Sequence, residues 1–140
     1  MALNGIAIGS MYGRVLLMAL AAGACSHAGS VRAASVECRG AANPQAIAGS
    51  NVDDACALIR ERTQAALAAG GRGQNINVTI ELDLARPGSA IARVRESRAG
   101  ATHAYPEIAV DVMDRSLRRE DLVRLADAIA GAVSAGPQPN

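Results

Sequence analysis

The sequence predicts an α+β protein with the element order α-β-β-β-α, a three-stranded antiparallel meander with two helices packed on one of its faces. Two observations support this fold class. Residues 75–84 alternate apolar and polar side chains without interruption, which is the period of a strand with one buried face. The segments 52–69 and 119–135 instead repeat apolar side chains with the spacing of amphipathic helices. We therefore expect one domain over residues 52–135, followed by a disordered tail at 136–140.

The first helix is predicted to begin at Ser50-Asn-Val-Asp53, which resembles a capping box with aspartate in place of the usual glutamate. It should end near Ala69, because Gly70-Gly71 follows and glycine readily takes the left-handed conformation that closes helices. Six residues share one face of this helix and are expected to be buried: Val52, Cys56, Ile59, Thr63, Ala66 and Leu67.

Three strands are predicted after this helix, over residues 75–84, 90–98 and 108–112. A turn separates the first two at Arg86-Pro-Gly-Ser89, where proline suits the second position and glycine can take a positive φ in the third. Ala99-Gly100 is expected to turn the chain again before the third strand.

The outward face of this sheet is expected to be polar. Strand pairing must set inward residues opposite inward residues, and one register that does so places Glu81 opposite Arg93 and Arg95 opposite Glu107. Such cross-strand charge pairs favour the correct register over slipped ones. The candidate interaction face consists of five outward residues: Thr79, Glu81, Arg93, Arg95 and Asp111.

The second helix is predicted to begin near Arg119. Glu120 and Asp121 fall in its first turn, where carboxylates suit the positive end of the helix dipole. Its apolar stripe recurs at helical spacing through five residues: Leu122, Leu125, Ala126, Ile129 and Val133.

The opening residues predict export. Arg14 precedes a run of ten apolar or small residues, which is typical of a secretory signal peptide over about residues 1–28, with Met11 as an alternative start. Ala22-Gly-Ala-Cys25 matches the small-residue pattern before a lipidated cysteine, so Cys25 is the candidate lipidation site. Ordinary cleavage after Ala28 or Ala33 competes with it. The protein is therefore expected in the periplasm or as an envelope lipoprotein, meeting the membrane only through a lipid anchor.

Cysteine usage agrees with export. Once Cys25 is acylated or removed, Cys38 and Cys56 remain, and two cysteines in an oxidising compartment are expected to form a disulfide. Their spacing is far wider than that of catalytic Cys-x-x-Cys pairs, which favours a structural bond. The bond is expected to tether residues 29–51, a stretch rich in small residues without a periodic pattern, to the first helix.

Composition argues against several functions. The 14 basic and 13 acidic residues give a net charge of +1, which provides no electrostatic basis for binding nucleic acid. All the basic residues are arginines, so Schiff-base chemistry through lysine is excluded. Two tyrosines are the only aromatic residues besides histidine, which argues against stacking on bases.

The predicted element order resembles that of the double-stranded RNA-binding domain over roughly residues 53–134. Ser116-Leu-Arg-Arg119 and the later alanines resemble the basic second helix of that family. The family binds phosphates through lysines at the start of that helix, whereas this chain has Glu120 and Asp121 there, which would repel phosphate. The resemblance therefore implies a shared architecture and no binding residue.

Few residues suit catalysis. His103 is the only histidine clearly inside the expected mature chain, which leaves too few ligands for a usual zinc site. A serine triad could be drawn from Ser89 or Ser97 with His103 and Asp111, and a carboxylate pair from Asp111 and Asp114. No nucleophile-elbow motif accompanies these residues. We expect neither enzymatic activity nor a cofactor.

These observations predict a small, non-catalytic interaction protein of the bacterial cell envelope. Its partner is expected to be another envelope protein or a second copy of the chain, bound through the sheet face or a sheet edge. Two alternatives remain open: a periplasmic protein that binds a small ligand between helices and sheet, and a small hydrolase that uses Asp111, Asp114 and His103.

Overall fold

The computed structural model describes residues 31–43 and 45–138. The predicted signal peptide, with Cys25, lies outside the described residues. The described chain forms seven elements: β1 (Ser35–Ala42), α1 (Val52–Ala69), β2 (Asn77–Leu84), β3 (Ser89–Arg98), β4 (Ala101–Ala104), β5 (Ile108–Asp111) and α2 (Arg119–Ala135).

The sheet has five strands and mixed orientation. β1 pairs parallel with β2, and β2 pairs antiparallel with β3. The other edge of β3 is shared, because β4 pairs with its C-terminal half and β5 with its N-terminal half. The predicted α+β class with two helices is confirmed, but the three-stranded, wholly antiparallel meander is wrong. The element order consequently also departs from that of the double-stranded RNA-binding domain.

Sequence analysis missed two strands, the short β4 and the longer β1. Residues 35–42 form a full ladder with β2 rather than part of an irregular tether. The chain then continues through a buried turn at Ala46 and Ile47. Two hydrogen bonds connect this turn to Leu117, before α2: the N–H of Leu117 donates to the carbonyl of Ala46, and the N–H of Ala48 donates to the carbonyl of Leu117. Because parallel strands need a long connection, α1 forms the crossover between β1 and β2.

The hairpin of β2 and β3 agrees with the sequence pattern. All four inward residues of β2 are buried: Val78, Ile80, Leu82 and Leu84. Gly88 closes the turn with a φ of 77°. A Cβ at Gly88 would also lie 2.6 Å from the carbonyl oxygen of Val112, so glycine is required by space as well as by conformation.

The first helix differs from the prediction at its start. The N-cap is Asn51, whose side chain accepts a hydrogen bond from the backbone N–H of Asp54 at 2.9 Å, so the expected capping box from Ser50 to Asp53 is wrong. The helix ends at Ala69 with Gly70 as its C-cap, as predicted.

The second helix begins at Arg119 as predicted, and its five-residue apolar stripe is fully buried. Asp121 is buried too, although a helix-dipole role alone would leave it exposed. Arg115 binds both of its carboxylate oxygens, at 2.6 and 3.1 Å, and the backbone N–H of Arg118 donates to it at 2.9 Å. An ion pair of Arg62 with Asp127, at 2.7 Å, connects α1 to α2.

The predicted disulfide is present between Cys38 in β1 and Cys56 in α1, with their Cα atoms 5.3 Å apart. Cys56 is buried in the main hydrophobic core, and Cys38 packs against its edge. The bond therefore joins the edge strand of the sheet to the helix that covers it.

Candidate functional site

The five residues of the candidate interaction face lie on one face of the sheet. Thr79 is directly opposite Arg95, and Glu81 is opposite Arg93, in the ladder of β2 and β3. Asp111 shares this face farther along, because it pairs with Ser89 at the other end of β3. The predicted pairing of Glu81 with Arg93 is therefore confirmed.

The charges of this face bind one another. Arg95 forms an ion pair with Glu81 at 3.5 Å, and Arg93 forms one with Glu107 at 3.1 Å. The predicted position of Arg95 opposite Glu107 is wrong, since Ala104 occupies that place in the ladder. All four side chains are about half exposed, so each pair is worth little stability, but each offsets charge that would otherwise be available to a partner.

The candidate catalytic residues are not brought together. His103 is opposite Glu96 on β3, whereas Asp111 is opposite Ser89, seven positions away along the same strand. At about 3.3 Å per residue this separation is roughly 23 Å. His103 therefore cannot share a hydrogen-bonded triad with Asp111, whereas the carboxylate pair of Asp111 with Asp114 stays a prediction. Within the described residues there is also no cluster of three or more metal-ligating side chains.

A buried charge network, which sequence analysis missed, lies beneath β3 and β4. Glu96 is only 3% exposed. Its carboxylate accepts hydrogen bonds from Arg72 Nη2 at 2.7 Å and from the Tyr105 hydroxyl at 2.5 Å. Arg72 comes from the connector after α1, so this network joins three separate parts of the chain.

Arg72 also closes the end of α2. Its Nη1 donates to the carbonyl oxygen of Val133, in the last turn of a helix that has no basic residue of its own there. A guanidinium at this position suits the negative end of the helix dipole. A Cβ at Gly136 would lie 3.0 Å from the guanidinium, so the C-cap glycine leaves room for this contact.

The two buried carboxylate sites shift pKa values in opposite senses. Burial and the hydrogen bond with Glu96 raise the pKa of Tyr105 to about 12, since both disfavour the phenolate. The hydrogen bond from Arg115, with help from the amide of Arg118, lowers the pKa of Asp121 to about 2. Tyr105 therefore stays protonated and Asp121 stays ionised near neutral pH, which suits a structural role.

Two clefts flank His103, whose ring lies edge-on to that of Tyr105 with centroids 5.0 Å apart. One, of about 490 Å³, is lined by Arg72, Glu96 and Arg98 among others. The other, of about 510 Å³, lies between β4 and the end of α2 and is lined mainly by apolar atoms. Together they offer an arginine-lined region beside an apolar one.

The two edges of the sheet are very different. β1 presents an unbroken edge of eight residues, and within the described chain its only strand partner is β2. The opposite edge is divided between β4 and β5, which have four residues each and are separated by a segment containing Pro106. Short strands and proline are features that prevent further strands from pairing. The β1 edge is the one suited to accept a strand.

Comparison of the chain with protein-family models, with curated proteins and with solved structures finds no match. Neither helix of the described chain has the length and apolar character needed to cross a bilayer.

Proposed function

We propose that this chain is a non-catalytic interaction protein of the bacterial cell envelope that binds its partner by adding a strand to β1. In this proposal both helices cover one face of the sheet. The candidate interaction face and the β1 edge are exposed to solvent. The observation that carries the proposal is the continuous β1 edge, held in place on one side by β2 and from above by the disulfide to α1.

The direction of the backbone groups supports this use of β1. The N–H of Ser35 donates to the carbonyl of Ile76, and that of Asn43 donates to the carbonyl of Leu84. Odd-numbered residues of the strand therefore bond toward β2, and the even-numbered residues direct N–H and C=O away from it. The β1 edge is therefore a better docking site than the candidate interaction face, where Arg93 and Arg95 both already have carboxylate partners.

Export is part of the proposal. The disulfide between Cys38 and Cys56 suits an oxidising compartment. Arg32 and Asn75 exchange hydrogen bonds, at 3.1 and 2.7 Å, which cleavage after Ala33 would remove. We therefore propose that the mature chain begins at a lipidated Cys25 or after Ala28. The intact mass of the mature protein distinguishes these two starts.

Site-specific photo-crosslinking in intact bacterial cells tests whether a partner binds at the β1 edge. A photoreactive residue at Ala41, exposed on β1, is compared with one at Thr102, exposed on β4. We expect crosslinks from position 41 and few from 102, and we expect Ala42→Pro to abolish them, since Ala42 directs its N–H outward. Ala42→Ser is the matched control. Equal yields from both positions, or crosslinks that survive Ala42→Pro, would contradict strand addition at β1.

A second candidate function rests on the clefts beside His103. An apolar region next to the exposed Arg98 is suited to a small carboxylate with an apolar tail. A panel of short-chain fatty acids tests this: a specific rise in the melting temperature that is lost in Arg98→Ala supports ligand binding. No shift with any member of the panel would contradict it.

A further inference from the structure

We infer that the strand added to β1 comes from a second copy of this chain, paired antiparallel about a two-fold axis at Cys38. The inference rests on the proposed use of β1 as a docking edge, and it names the partner. A two-fold interface brings the same surface of both copies together, so that surface must be complementary to itself.

The hydrogen-bonding phase of β1 permits this pairing. Val36, Cys38 and Gly40 all direct their backbone groups to the open edge. With the axis at Cys38, Val36 meets Gly40 of the second copy, and Cys38 meets its own counterpart. Each of these is a pair in which both residues exchange N–H and C=O hydrogen bonds. The backbone of the edge is thus satisfied by its own copy.

The side chains select this register. Glu37 and Arg39 lie between the hydrogen-bonded positions, so Glu37 meets Arg39 of the second copy, and Arg39 meets Glu37, in the closer type of antiparallel pair. Within one copy Glu37 and Arg39 form an ion pair with each other at 3.6 Å, with side chains 67% and 70% exposed. Such an exposed pair is worth little, so each side chain can also contact its counterpart in the second copy. Shifting the axis by one residue in either direction sets Glu37 against Glu37 or Arg39 against Arg39. The charge pattern therefore favours the axis at Cys38 over its neighbours.

The helix above β1 meets its own counterpart in this arrangement. Arg62 marks the side of α1 that faces α2, and the opposite flank carries Asp53, Ala57 and Arg60, all exposed. Cys56 is fixed to Cys38, so α1 lies over the strand that carries the proposed axis. Asp53 and Arg60 carry opposite charges and lie on either side of the proposed axis. The two-fold symmetry therefore brings Asp53 of each copy toward Arg60 of the other.

Charge reversal tests the inference. Glu37→Arg alone places arginine against arginine at both ends of the interface, and Arg39→Glu alone places glutamate against glutamate. We expect each variant to dimerise at least about tenfold more weakly than the native chain. An equimolar mixture of the two variants pairs opposite charges again and should restore dimers, as should the double variant Glu37→Arg/Arg39→Glu.

Sedimentation equilibrium of the mature, oxidised protein measures these outcomes. The native chain is expected to have twice the monomer mass. Both single variants should keep its far-UV circular dichroism, since the exchanged side chains are exposed. Because association stabilises the folded state, their urea midpoints are compared with the native one at a concentration where all three chains are monomeric. A native chain that stays monomeric up to about 0.1 mM overturns the inference, as do single variants that dimerise as well as the native chain. A monomer that still crosslinks from position 41 to a different protein overturns only the second-copy partner, whereas loss of those crosslinks as well overturns the proposed function.

Discussion

Reduction of the disulfide between Cys38 and Cys56 is expected to lower the free energy of unfolding by about 3 kcal/mol. The bond closes a loop across 18 sequence positions. In the chain-entropy description, a crosslink of that span removes about 11 cal/mol/K from the unfolded ensemble, which is about 3 kcal/mol at 25 °C. This is a large fraction of the stability that a domain of this size usually has.

Urea unfolding of the same chain with and without reductant measures the effect. For a slope of about 2 kcal/mol/M, the midpoint should fall by about 1.5 M on reduction. Hydrogen exchange should become faster in β1 first, because this strand then keeps only its ladder with β2 and its packing against α1. The double variant Cys38→Ala/Cys56→Ala is the control, since reductant should leave its midpoint unchanged.

Two results would refute this reasoning. A midpoint that moves by less than about 0.3 M on reduction would mean that the bond does not restrict the unfolded chain. An equal shift in the cysteine-free variant would show that the reductant acts elsewhere.

Four further outcomes follow from buried groups and turns. Because the pKa of Asp121 is lowered to about 2, its ion pair stabilises the fold above about pH 4, and the urea midpoint should fall as the pH drops toward 2, less so in Asp121→Asn. Because the pKa of Tyr105 is raised to about 12, stability should fall as the pH rises above 10, and Tyr105→Phe should lack this loss. The Thr63 hydroxyl is buried without a hydrogen-bond partner in the described chain, so Thr63→Val should raise the free energy of unfolding by about 1 kcal/mol in urea titrations. Gly88→Ala should lower the free energy of unfolding by about 2 kcal/mol or more, and by more than Gly100→Ala does. Both glycines have positive φ, but only Gly88 lies close to carbonyl oxygens, so equal melting temperatures of the two variants would contradict this.

The parts of the fold that the sequence predicts are those where each residue's own preference agrees with the final structure. In β2, inward Val, Ile and Leu alternate with polar residues, so the pattern alone determines both the strand and its buried face. In α2 the apolar stripe has helical spacing and the first turn is acidic, and both ends of the helix were predicted correctly.

The strands that the sequence does not reveal depend on tertiary contacts. β1 has one β-branched residue, Val36, and its inward positions include Gly40 and Ala42, which have low strand propensity. Gly40 is needed because a Cβ there would lie 2.5 Å from Cγ2 of Val52 on α1. The strand therefore forms through its ladder with β2 and its disulfide rather than through its own preferences.

The buried network at Glu96 was missed, although the sequence contains a signal for it. The inward phase of β3 runs through Ala90, Ala92 and Val94, and continuing it by two places reaches Glu96. A carboxylate on a buried face requires a cation, so the pattern predicts that an arginine outside the strands pairs with Glu96. Because Arg72 is far from Glu96 along the chain, the sequence alone does not identify which arginine this is.

The divided outer edge formed by β4 and β5 would limit the size of the proposed assembly. A sheet with two continuous edges can recruit copy after copy and elongate into a fibre. Here the interruption at Pro106 divides the outer edge, so β1 is the one edge of each copy that can pair with a further long strand. In the proposed dimer both ends of the enlarged ten-stranded sheet would carry the divided edge, so we expect assembly to stop at two copies.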